Sequence, residues 1–153
     1  METKEKVSEV LNDLLKINND RIAGYEKAAG EAKEDDLKEL FHEMADGSKK
    51  ITNSLRIEIN KLGGDAKVGS TTNSGKIYRV WMDVKATFNG KDREGILKAC
   101  EYGEDAAQSA YKSAIDGDDL RGNLRDMIME QKVSLKISHD SIRHKMDEEK
   151  ITL

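Results

Sequence analysis

Residues 93–117, REGILKACEYGEDAAQSAYKSAIDG, decide the fold class. Their apolar side chains recur at steps of three and four residues, which places them on one face of a helix. The spacing predicts a helix from about 92 to 116 that ends at Gly117. Its inward face consists of Leu97, Cys100, Glu104, Ala107, Tyr111 and Ile115.

The same periodicity predicts two helices earlier in the chain. The first runs from about 4 to 31, and the second begins near Asp36, which forms a capping box with Glu39, and ends at Gly63-Gly64. The inward face of the first consists of Val7, Leu11, Leu14, Asn18, Ile22, Tyr25 and Ala29. The inward face of the second consists of Leu37, Leu40, Phe41, Met44, Ser48, Ile51, Leu55, Ile59 and Leu62.

A last long helix is predicted to start after Asp118 or Asp119. Its inward face consists of Leu120, Leu124, Ile128, Gln131, Leu135, Ser138 and Ile142. Short turns join the helices into two antiparallel pairs, and a crossover over about 63–90 joins the pairs. One long crossover is the ferritin-like connection of a four-helix bundle, so we predict an all-α, ferritin-like four-helix bundle formed by a single domain over 1–153.

The crossover itself contains a further amphipathic stretch. Its apolar residues are spaced four, three and four apart, which predicts a short fifth helix packed along the bundle. These residues are Ile77, Trp81, Val84 and Phe88, with Trp81 as the anchor.

Composition excludes several classes of function. Lys and Arg (26) nearly balance Asp and Glu (30) over 153 residues, and no basic block is present, so nucleic acid is not an expected partner. No apolar run approaches the length that spans a bilayer. The single cysteine, Cys100, cannot form an internal disulfide, and METKEKVSEV lacks the apolar stretch of a signal peptide. We therefore expect a cytoplasmic protein without a membrane partner.

Four polar residues interrupt the inward faces near the middle of the helices. Asn18 and Ser48 lie at equal distances from the first turn, and Glu104 and Gln131 lie at nearly equal distances from the turn near 117. The sequence therefore predicts a buried polar layer of Asn18, Ser48, Glu104 and Gln131, with Tyr25 and Tyr111 near it on inward faces. Ferritin-like proteins hold their metals at this level.

A dinuclear iron or manganese site needs a Glu from each of two helices and a Glu-x-x-His from each of the other two. The single Glu-x-x-His here, Glu39 to His42, faces solvent on a helical wheel. Glu101, Glu104 and His139 are the remaining candidate ligands. We therefore favour a hydrogen-bonded network that specifies helix register and needs no cofactor. The alternatives are an iron or manganese site on those three residues and a small-ligand site in the layer.

Glu104 needs partners if it is buried, because a lone buried carboxylate is strongly unfavourable. No Lys or Arg occupies the other layer positions. We expect amide and hydroxyl donors from the layer, a nearby tyrosine or a buried water to satisfy it. On that expectation Glu104→Gln costs little.

Particular strings carry a family resemblance over about residues 7–145. They are NNDRIAGYEKAA (18–29), KLGGDAKVGS (61–70), YRVWMDVK (78–85) and, most specifically, ACEYGEDAAQSAY (99–111). The chain resembles a bacterial family of ferritin-like four-helix-bundle proteins of unknown function. The resemblance implies the ferritin-like fold and a bacterial origin, and it transfers no activity, because fold alone does not define function.

Two hypotheses about function follow. The first is a non-catalytic, stress-associated cytoplasmic bundle that acts through its surface or through self-association. The second is a metal-dependent oxidoreductase or iron-handling protein. An outward apolar line of Met129, Val133 and Ile137 on the last helix predicts a covering element, either the crossover helix or a second subunit, with Ile57 as a possible partner. We expect a homodimer.

Overall fold

In the computed structural model, the described residues are 3–67 and 93–152. They form four α-helices: α1 (Thr3–Glu31), α2 (Asp35–Lys61), α3 (Arg93–Asp116) and α4 (Gly122–Thr152). These ranges contain no strand, which confirms the all-helical prediction. The predicted crossover helix, with Ile77, Trp81, Val84 and Phe88, lies outside the described residues.

Two helical hairpins make up the bundle. α1 packs along α2, α3 packs along α4, and α1 also contacts α3. Each helix turns an apolar stripe inward, because burying that stripe against its neighbours contributes most of the stability of such helices. The most deeply buried aliphatic residues of this core are Leu11, Leu14, Leu55, Ile59, Leu97, Ile128 and Ile142.

Contacts between the hairpins define the helix directions. Along α1, Asn18 contacts Tyr111 and the later residue Tyr25 contacts the earlier residue Glu104, so α1 and α3 are antiparallel. Lys145 near the end of α4 forms an ion pair with Asp36 at the start of α2. Helices α2 and α3 therefore run in the same direction. The crossover joins opposite ends of the bundle, which distinguishes this topology from a simple up-and-down bundle.

The end of α2 agrees with the sequence prediction. Gly63 has φ +77°, and its N–H donates to Asn60 O, while Gly64 N–H donates to Ile59 O, both at 3.0 Å. This pair of bonds is a Schellman motif, and the positive φ explains why glycine occupies the position. The chain then lies on α1, where Asn12 Nδ2 donates to Asp65 O at 3.0 Å and Asn12 Oδ1 accepts from Lys67 N at 2.9 Å.

Helix α2 begins near Asp36 as predicted, but the predicted capping box and the predicted start of α4 are wrong. Glu34 is the N-cap of α2 and makes no side-chain capping bond, whereas Asp36 lies inside the first turn, where its charge interacts favourably with the helix dipole. Helix α4 begins at Gly122 and not directly after Asp118 or Asp119. Leu120 belongs to the non-helical turn before α4, and its side chain is buried in the core. Gly122, the first residue of α4, has φ +61°.

Candidate functional site

The four predicted layer residues lie in the interior of the bundle. Asn18, Ser48 and Glu104 are fully buried, and Gln131 is 7% exposed. Each comes from a different helix and interrupts the apolar stripe of that helix. The four positions lie near the same height in the bundle. Two tyrosines and one arginine link them into one hydrogen-bonded network.

Tyr111 connects three helices in this network. Its hydroxyl accepts from Asn18 Nδ2 at 2.9 Å and donates to Gln131 Oε1 at 2.8 Å. Asn18 Nδ2 also donates to Leu14 O at 2.9 Å, and Asn18 Oδ1 accepts from Ser48 Oγ at 3.0 Å. Asn18 and Tyr111 thus each act as hydrogen-bond donor and as acceptor, which satisfies these buried polar groups.

An arginine of α1 occupies the centre of the network. Arg21 is 1% exposed and donates from Nε and Nη2 to Glu104 Oε1 at 3.0 and 2.5 Å. Its Nη1 donates to Ser48 Oγ. The guanidinium carbon lies 5.3 Å from the centre of the Tyr25 ring, and the Tyr25 hydroxyl donates to Glu104 Oε1 at 2.6 Å. Arg21 therefore joins α1, α2 and α3 through charge-assisted bonds.

This geometry corrects the expected partners of Glu104. The Tyr25 hydroxyl, a donor of the expected kind, binds Glu104 Oε1, but the principal partner is the Arg21 guanidinium, which we did not expect. The physical reason is that a buried carboxylate is stabilised best by an opposite charge with several N–H donors. Asn18 and Gln131 satisfy Tyr111 instead.

The second carboxylate oxygen differs from the first. Glu104 Oε2 is buried and accepts no hydrogen bond from any group in residues 3–67 or 93–152. All three donors converge on Oε1.

Burial and charge shift the pKa values around the network. Burial alone would lower the pKa of Arg21, but the negative charge of Glu104 and its hydrogen bonds to the guanidinium outweigh this effect, and the pKa of Arg21 is raised. Burial and then the charge of Glu104 raise the pKa values of Tyr25 and Cys100 well above their ordinary values. Burial likewise raises the pKa of Tyr111. These three groups therefore stay protonated, and Arg21 stays charged, at neutral pH.

The other candidate metal ligands, Glu101 and His139, interact with residues outside the layer. Glu101 Oε2 accepts from Arg143 Nη1 at 2.8 Å. His139 Nε2 lies 2.7 Å from Asp105 Oδ1, and the histidine is 23% exposed at the α3–α4 boundary. Glu39 and His42 are both exposed, as the helical wheel predicts. Within the described residues, no group of three or more His, Cys, Asp or Glu side chains could hold a metal ion.

Sequence reasoning missed two buried charged residues, Arg21 and Asp20. Either Arg21, three residues after Asn18, or Ile22, four residues after it, could be the next residue on the inward face of α1. Both have helical spacing to Tyr25. The apolar choice, Ile22, is only half-buried. The requirement of Glu104 for a cation is the signal that favours Arg21.

Fold and site together define a class: an α-helical bundle with an arginine–glutamate ion pair in its interior. Within the described residues no helix is long and apolar enough to cross a membrane. The chain belongs to the family described as domain of unknown function (DUF2383), whose family model matches residues 6–117. The match includes Arg21, Ser48 and Glu104 and ends before α4. No curated protein matches the chain significantly.

Proposed function

We propose that this chain is a non-catalytic, ferritin-like helical bundle whose mid-bundle layer is a structural ion-pair network, and that the protein acts through its surface. The bacterial, cytoplasmic and stress-associated setting belongs to the same proposal, on the strength of the family resemblance. One observation carries the proposal: the Arg21 guanidinium binds the carboxylate that a mid-bundle metal would need.

Electrostatics supports this assignment of the layer. Arginine stays charged throughout the physiological pH range, so it is a permanent cation at the centre of the bundle. A divalent cation on Glu104 Oε2 would share one carboxylate with that guanidinium, in surroundings where like charges repel strongly. The remaining layer residues supply amides and a hydroxyl, which are weak ligands for iron or manganese beside a single carboxylate.

The network also explains what the layer contributes. Arg21, Ser48 and Glu104 come from three helices, and their bonds form only when these helices have one relative height and rotation. A slip of one turn would leave a buried charge without its partner, which costs several kcal/mol. Buried polar residues specify helix register in coiled coils by this mechanism.

A metal titration tests the proposal against the iron or manganese alternative on Glu101, Glu104 and His139. Purified protein is titrated anaerobically with Fe²⁺ and with Mn²⁺, followed by elemental analysis and melting. We expect no saturable uptake and an unchanged melting temperature. Saturable binding of two equivalents that is lost in both Glu101→Gln and His139→Ala would contradict the proposal. His42→Ala is the matched control, because His42 is an exposed histidine outside the layer and identifies binding at the Glu39–His42 surface site.

A further inference from the structure

We draw no further inference here: the strongest candidate, the exposed apolar strip of Met129, Val133 and Ile137 on the outer face of α4, carries none, because nothing in the described part of the structure shows what covers it.

Discussion

Arg21 on α1 and Glu104 on α3 form an ion pair in the centre of the bundle. Their closest atoms, Nη2 and Oε1, are 2.5 Å apart, and the side chains are 1% and 0% exposed. Removing two charges from water is costly, and their attraction offsets this cost only when the geometry is good and other hydrogen bonds assist. Here Ser48 and Tyr25 provide those bonds. We therefore propose that the pair specifies how α1, α2 and α3 fit together more than it adds to stability.

The first prediction concerns Glu104→Gln. Because this change leaves the Arg21 charge buried without a counter-charge, we expect it to lower the free energy of unfolding by about 3–5 kcal/mol. This replaces the expectation from sequence that the substitution costs little. Urea denaturation followed by circular dichroism measures the change. Glu26→Gln, which breaks the exposed ion pair with Lys49, is the control and should cost less than about 1 kcal/mol.

The second prediction concerns the hydroxyl of Tyr25. Tyr25→Phe keeps the ring on Arg21 and Phe41 but removes a 2.6 Å hydrogen bond to Glu104 Oε1. Hydrogen bonds to charged groups are typically worth about 1.5–3 kcal/mol, and we expect a loss of that size. The same change at Tyr102, which is 62% exposed, should alter stability by less than about 0.5 kcal/mol. Equal effects at the two tyrosines would show that Tyr25 does not bind the carboxylate.

The third prediction is a loss of stability at alkaline pH. The pKa values of Cys100 and Tyr25 are raised by burial and by Glu104 from ordinary values of 9.0 and 10.0. The stabilisation from each proton is complete below its ordinary pKa and falls as pH rises beyond it, because the unfolded state ionises first. Each group should contribute a slope of about 1.4 kcal/mol per pH unit.

Denaturation curves between neutral pH and pH 11 measure this loss. Cys100→Ala should delay its onset from about pH 9 to about pH 10, where the tyrosines begin to ionise in the unfolded chain. A free energy of unfolding that is flat up to pH 11 would contradict the burial of both groups.

Periodicity was sufficient to predict the helical architecture. The stripes through Leu55 and Leu97 defined α2 and α3, and Gly63 defined a helix end because its positive φ is open to few other residues. The start of α4 could not be predicted in this way. Leu120 continues the apolar spacing of that helix, yet it lies in a non-helical turn with its side chain buried. Periodicity alone does not distinguish a buried residue of a helix from a buried residue of the turn before it.

The site was only partly accessible from sequence. Level counting selected Asn18, Ser48, Glu104 and Gln131 because each breaks an apolar stripe. Arg21 was not predicted to be buried, because a charged side chain next to an isoleucine is ordinarily exposed to solvent. Its contact with Glu104 in the folded bundle explains why Arg21 is buried. Charge balance inside a core is a property of contacting helices, not of one helix.

The central claim is that Arg21 and Glu104 act as one buried unit that takes the place of a mid-bundle metal. A double-mutant cycle with Arg21→Met, Glu104→Met and both together, measured by urea denaturation of metal-free protein, tests it most directly. We predict that each single change costs about 3–5 kcal/mol and that the double variant costs far less than their sum, with a coupling energy above about 2 kcal/mol. Additive losses with a coupling energy below about 0.5 kcal/mol would contradict the claim.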